Sequence, residues 1–235
     1  GGTPLGAVTI NLANNVTTSA AFSAASVNQA VSGTGTTQIG GLLTTTGALK
    51  LDAVTVDLND SIVSNGGLVT LNAGAGGVDL ATTKTITTTA AANSGTISGA
   101  IDINVIGAGT VNLAGDLVTT GATHATATGS AGGAVTIDAA NGTIAVANIT
   151  TSGGAAAAAL QTGGAAGTIG INTGNNNVIT LNASTLTAAG GAGATQGAGA
   201  TIGFGDPVSL ATGGVSISTG ATAGNISFAQ TLDGG

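Results

Sequence analysis

The chain has 235 residues, with 43 Gly, three Phe as its only aromatic residues, and a net charge of -7 from two basic and nine acidic side chains. The scarcity of basic residues excludes nucleic acid as a partner, and the polar residues that interrupt every apolar run exclude a membrane-spanning segment. Without Cys the chain has no disulfides or thiolate metal sites, and without Met it has little to oxidise, which is compatible with an extracellular protein. So few large side chains would not fill an ordinary globule of this length, and an elongated body fits better.

A phrase of five residues that alternates apolar and polar side chains recurs along the chain. Its copies occupy residues 8–12, 49–53, 69–73, 101–105, 135–139 and 169–173, with weaker copies at 202–205 and 226–229. A period of two, combined with many β-branched residues, predicts a half-buried strand. The uneven spacing between copies indicates insertions of different lengths.

Two further strands are predicted after each copy. The second strands lie at residues 54–58, 78–80, 111–113, 144–146, 179–181 and 208–210. The third strands are shorter and lie at 61–63, 85–87, 117–118, 149–150, 186–187 and 215–218. The residues between a third strand and the next first strand, at 119–133, 151–167 and 188–200, are almost all Gly, Ala, Thr and Ser, which predicts extruded loops.

Three strands that recur with the same phase predict an all-β fold, a parallel β-helix or β-solenoid, in which like strands stack on like. Roughly eight coils, each about 4.8 Å from the next, then form one rod over residues 1–235, with regular coils at 47–235. Residues 13–46 depart from the pattern because Phe22 and the Ala24–Ala25 pair break the strand phase. For these residues we expect an irregular coil or an inserted loop.

Aligning the copies places an Asn or Asp directly after the second apolar residue of six of them. This Asx column consists of Asn11, Asp52, Asn72, Asn104, Asp138 and Asn172. Because stacked Asn amides hydrogen-bond along a solenoid axis, we interpret the column as structural. A calcium column is the alternative, but its two Asp lie several coils apart and the calcium-type run at 74–79 occurs only once. We therefore predict neither a metal nor a cofactor.

Catalysis requires convergent groups, and the pattern does not supply them. His124 is the only His, and it lies in the loop at 119–133 without triad or metal-ligand spacing around it. Asp57 and Asp79 are predicted neighbours on successive second strands, which we interpret as part of a solvated face. Lys50 and Lys84 offset such carboxylate charges. We expect that the protein is not an enzyme.

Two binding functions remain as alternatives. Thr residues cluster in or just after the third strands, at 44–46, 87–89, 119–120 and 150–151, and a regular Thr array on a flat face can bind ice. The extruded loops form the other candidate surface, as a recognition face for glycans or ice. They contain no Tyr, Trp or Arg, so any binding through them should be weak and multivalent.

The run at residues 133–154, GAVTIDAANGTIAVANITTSGG, resembles the repeats of large bacterial exoproteins of the filamentous haemagglutinin type. The similarity recurs from about Gly47 onward. The resemblance implies secretion across the outer membrane, a right-handed β-helical shaft and an adhesive or scaffolding role, and it implies no catalytic residues. We therefore expect a structural segment of a bacterial cell-surface or extracellular fibre or adhesin. We also expect head-to-tail self-association or continuation in a longer polypeptide, with at most weak glycan or surface contacts.

Overall fold

The computed structural model describes residues 3–29, 34–211 and 213–234. Within these ranges the protein contains strands and no helix, so it also has no helix that is long and apolar enough to cross a membrane. The 23 strands, numbered here in chain order, pair in parallel in one sheet that winds around an axis. This confirms the parallel β-helix with three short strands per coil.

The recurrent phrase forms the first face of the solenoid, because each copy pairs in register with the copies before and after it. Val135, for example, pairs with Ile101 on one side and with Ile169 on the other. The strands of this face are β1 (Leu5–Ile10), β3 (Phe22–Gln29), β6 (Leu49–Leu58), β8 (Val69–Leu80), β10 (Ile101–Val105), β13 (Val135–Ala139), β16 (Ile169–Asn172), β19 (Ile202–Phe204) and β22 (Ile226–Phe228).

The second and third predicted strands form the other two faces. The second face contains β2 (Val16–Thr18), β4 (Thr36–Ile39), the ends of β6 and β8, β11 (Val111–Leu113), β14 (Ile144–Val146), β17 (Ile179–Leu181), β20 (Val208–Leu210) and β23 (Leu232–Gly234). The third face contains the start of β3, β5 (Leu43–Thr45), β7 (Ile62–Val63), β9 (Thr85–Thr87), β12 (Asp116–Val118), β15 (Ile149–Thr150), β18 (Thr185–Thr187) and β21 (Ser216–Ser218).

The core is a narrow prism of apolar columns, with three columns from the first face, two from the second and one from the third. In one coil these positions are Val135, Ile137 and Ala139, then Ile144 and Val146, and then Ile149, all of which are at most 1% exposed. Because branched aliphatic side chains fill this prism, large aromatic residues are not needed. An aromatic contact continues one column, since Phe204 and Phe228 on successive coils stack with their ring centroids 4.9 Å apart.

Between residues 13 and 46 the described residues form coils in register with their neighbours. Val27 of β3 pairs with Val8 on one side and with Leu49 on the other, so the first face has nine strands, one more than the sequence indicates. The apolar–polar alternation is broken at Gln29, a polar residue that occupies a core position and is 1% exposed. Its side-chain oxygen accepts a hydrogen bond of 2.8 Å from the buried Thr37 hydroxyl. This pairing lets a polar residue occupy an apolar column. Residues 30–33, in the same stretch, lie outside the described residues.

Candidate functional site

Five of the six Asx column residues form one continuous ladder on the outer side of the first face. The register pairs Asp52 with Asn72, Asn72 with Asn104, Asn104 with Asp138, and Asp138 with Asn172. The Asn104 amide donates to the Asn72 side-chain oxygen at 3.3 Å, which is the cross-coil contact expected of a structural ladder. The sixth residue, Asn11, lies directly after the end of β1 and outside the paired strands.

A shallow groove runs along the axis beside this ladder. It consists of two cavities of 420 and 320 Å³, and both are lined by Asn104 and Ile106. The buried alanines Ala53, Ala73 and Ala139 also line it. Lys50 forms an ion pair of 3.4 Å with Asp52 beside the groove. The groove therefore offers amide and carboxylate groups at every coil but gathers no catalytic set.

The second face brings together the two carboxylates that the sequence places there. Asp57 and Asp79 are direct partners on adjacent strands. Each carboxylate is also bonded to an amide on its other side: Gln38 donates to Asp57 at 2.8 Å, and Asn112 donates to Asp79 at 2.6 Å. These amides continue the column on either side of the two carboxylates. The arrangement fits a polar column better than an acid–base pair, since both carboxylates accept hydrogen bonds in the same way.

At the corner before the third face, Asp60 binds two donors. The Ser61 backbone N–H donates to its carboxylate at 2.7 Å, and the Lys84 ammonium lies 3.2 Å away. Both interactions favour the charged form, so first the Ser61 hydrogen bond and then Lys84 lower the pKa of Asp60 below its ordinary value. Lys84 thus offsets a carboxylate, as expected, by linking two neighbouring coils.

The predicted extruded loops are present, and they stack on one another instead of projecting separately. Their outgoing arms continue the register of the third face. The N–H of Gly121 donates to Ser152 O at 2.8 Å, and the N–H of Gly153 donates to Ala189 O at 2.9 Å. Further along the arms, His124 forms a parallel bridge with Ala156. The three loops therefore build a second lobe beside the apolar prism.

Glycine packs the interior of this lobe. Burial in the return arm at 129–134 follows a period of three, with two buried residues and one more accessible residue in each repeat. This is the period of polyproline II structure. The buried positions hydrogen-bond from arm to arm in a zigzag: Gly154 N–H to Ser130 O, Gly164 N–H to Gly154 O, and Gly191 N–H to Gly164 O, each at 2.8 Å. Only glycine allows the arms to approach this closely.

A buried hydroxyl lies at the start of five of the connections between a third strand and the next first strand, and in the loop at 188–200 the buried Ala188 takes this position. Thr45, Ser64, Thr88, Thr119 and Thr151 end the third strands with their side chains inside, and each donates, at 2.5 to 2.8 Å, to the carbonyl oxygen of a glycine two residues before the next first strand. The predicted Thr clusters therefore divide into inward and outward residues. The acceptor glycines can be recognised in the sequence, because each lies two residues before a copy of the phrase: Gly47, Gly67, Gly99, Gly133 and Gly167.

His124 has no catalytic partner among the described residues. It is partly exposed in the lobe, and its Nδ1 atom is buried without a hydrogen-bond partner. Among the same residues, no three His or Asp side chains lie close enough together to hold a metal ion.

One buried carboxylate was not identified from the sequence. Asp206 is 4% exposed, and it accepts hydrogen bonds from the backbone N–H groups of Thr173 at 2.6 Å, Gly174 at 3.3 Å and Asn176 at 3.1 Å. Asp206 thus stabilises the turn at residues 173–176 of the preceding coil, where these backbone N–H groups have no partner in a neighbouring strand. The Asp206–Pro207 dipeptide is a turn signal that could have identified it.

These features define the class of protein. It is a β-solenoid with repeating side-chain ladders on its faces and a glycine-packed lobe at one corner. Comparison of the chain with protein-family models, with curated proteins and with solved structures gives no match.

Proposed function

We propose that this protein is a structural segment of a fibre or adhesin of the filamentous haemagglutinin type, secreted by a bacterium and displayed at the cell surface or outside the cell. The observation that carries the proposal is the uninterrupted register of the three faces over successive coils. In a solenoid each coil contacts only its neighbours, so length can be added without a change in the core. A stiff shaft is the function that this architecture serves best.

The polar ladders support the same function. Amides, carboxylates and Lys84 link adjacent coils on the first two faces and at the corner before the third, as in the pairs Asn104–Asn72, Asn112–Asp79 and Lys84–Asp60. Each such surface contact is weak, but the contacts repeat along the axis and add to the stiffness of the shaft. The described residues assemble no catalytic group, so we propose a structural protein and not an enzyme.

The outermost coils support association along the axis. Leu5 in the first coil is 54% exposed, and Ile226 and Leu232 in the last are 43% and 47% exposed, although their column partners further in are buried. Strand edges with apolar side chains favour the addition of further strands. We propose that these two surfaces stack on further coils, from the same polypeptide or from a second copy.

Stacking is tested by measuring particle mass and length as protein concentration rises, using analytical ultracentrifugation and electron microscopy. We expect rods that lengthen in steps of one chain. The Ile226→Lys variant should shorten them, and Thr136→Lys, which changes an outward residue in the middle of the first face, should not. A particle that stays the size of one chain at every concentration would contradict association between copies, and the continuous polypeptide would then be the only remaining route to a fibre.

The loop-recognition alternative has little support. Most polar backbone groups of the lobe bond to neighbouring arms, and the outer residues of the arms are mainly Ala and Thr. Contacts with glycans through this lobe would be weak for want of aromatic or Arg anchors.

A further inference from the structure

The third face carries an array of small β-branched side chains that the shaft function does not use. Its central outward column runs in register through Thr44, Val63, Thr87, Val118, Thr150 and Thr187, all half-buried. A second outward column, two residues further along, contains Thr89, Thr120, Ser152 and Ala189. We call these two columns together the threonine face.

The threonine face differs from the other outward columns in its chemistry. The first face carries Lys50, Asp52, Asp102 and Asp138, and its amides bond across coils. The second face carries Asp57 and Asp79 with their amide partners. The threonine face contains no charged residue, and its hydroxyl groups make no hydrogen bond to another side chain of the described residues. These hydroxyls therefore remain available to an external partner.

The threonine face is also regular in two directions. Along the axis the side chains repeat at the strand spacing of about 4.8 Å, and the second column, which follows just after the strands, stands about 6.6 Å from the first for an extended chain. The arms of the lobe extend the same plane, because the Thr119 N–H donates to Thr150 O and the Gly121 N–H donates to Ser152 O, both at 2.8 Å. The backbone thus holds the array rigidly, and β-branched side chains have little χ1 freedom.

We propose that the threonine face binds ice. Its two repeat distances are close to those between oxygen atoms on the prism faces of hexagonal ice. Each Thr supplies a hydroxyl group that can take the place of a lattice water and a methyl group that orders adjacent water. Val63 and Val118 supply methyl groups but no hydroxyl group. A charged side chain would hold its own hydration shell against the lattice, and the two columns contain none. The carboxylate of Asp116, two residues before Val118 on the same strand, lies beside the central column and accepts a hydrogen bond of 2.9 Å from the Asn148 amide. Because the array is ordered on folding, binding costs little side-chain entropy.

The test uses the whole 235-residue chain and two lysine variants. Thr150→Lys places a charge in the centre of the threonine face, and Thr136→Lys places the same charge at an outward strand position of the first face. We expect the unaltered protein and Thr136→Lys to show thermal hysteresis and to partition into growing ice. Thr150→Lys should lose thermal hysteresis and most of its ice-bound fraction while keeping its far-UV circular dichroism spectrum.

Two results on ice, and one on polysaccharides, would overturn the proposal. One is an unaltered chain that neither shifts the freezing point nor enters ice. The other is equal loss of ice binding in both lysine variants, which would show that the threonine face is not the contact surface. Binding to crystalline cellulose or chitin without binding to ice would also overturn it, since the array would then match a polysaccharide lattice. None of these results bears on the proposed shaft, which depends on the register of the coils alone.

Discussion

Replacing Gly164 by Ala tests the packing of the glycine lobe. Gly164 lies on a return arm, and a Cβ atom built there would stand 2.5 Å from the carbonyl carbon of Ser130 and closer still to its oxygen. The arm must then move away, which breaks the hydrogen bonds from the Gly164 N–H to Gly154 O and from the Gly191 N–H to Gly164 O. Two backbone hydrogen bonds are worth about 2 kcal/mol, and the strain of overpacking adds about 1 to 3 kcal/mol. We expect the free energy of unfolding to fall by about 3 to 5 kcal/mol.

Gly170→Ala is the matched control, because Gly170 points outward from β16 and a Cβ atom there meets nothing within 4 Å. It should change the free energy of unfolding by less than about 1 kcal/mol, in the stabilising direction, since Ala loses less backbone entropy on folding. Urea unfolding followed by far-UV circular dichroism measures both, because the chain has no Trp or Tyr for fluorescence. A loss at Gly164 below about 1 kcal/mol would refute the close packing of the arms.

Three further changes test individual buried or paired groups. Gln29→Leu should destabilise the protein by about 1 to 3 kcal/mol in urea unfolding, because it leaves the buried Thr37 hydroxyl unpaired. Adding Thr37→Val should recover most of that loss, and an unchanged loss in the double variant would contradict the pairing. Asp206→Ala should lower the free energy of unfolding by about 2 to 4 kcal/mol, because the backbone N–H of the buried Thr173 loses its partner while the two more exposed N–H groups can bond to water. A change near zero would rule out a role for Asp206 in the turn. The pKa of Asp60 is lower in the folded protein than in the unfolded chain, so the stability that its carboxylate contributes is present above the unfolded pKa and is lost as pH falls through the folded pKa. The thermal midpoint of Asp60→Asn should therefore fall less on acidification than that of the unaltered protein. Parallel pH profiles of the two proteins would be inconsistent with this pairing.

The sequence predicts the three faces well because their signal is local. Alternation with a period of two identifies each strand, and recurrence of the phrase identifies its partners, as in the run from Val69 through Ile101 to Val135. The Asx ladder follows from the same alignment. Its five paired members are adjacent because residues at the same position of successive coils must stack.

The remaining features depend on contacts that no periodicity records. The coil at β3 is missed because Gln29 stands at an apolar position, and only the three-dimensional structure pairs it with Thr37. The packing of the lobe is missed because its burial does not follow the strand period of two, and its glycines are typical of flexible loops until their contacts with other arms are known. Asp206 is missed because the amides that it binds lie one coil away in the chain.

Spin-label distances along the first face test the central claim, that successive coils stack in register around one axis. The positions Lys50, Thr70, Asp102, Thr136, Gly170 and Gly203 form one outward column, and the chain has no native Cys to interfere with labelling. With one label at Lys50→Cys, the distance to the second label should rise by about 4.8 Å per coil, to about 24 Å at Gly203→Cys. This increase should be uniform although the number of residues between successive positions varies. Distances that follow chain separation instead, or that fail to rise from coil to coil, would contradict the solenoid.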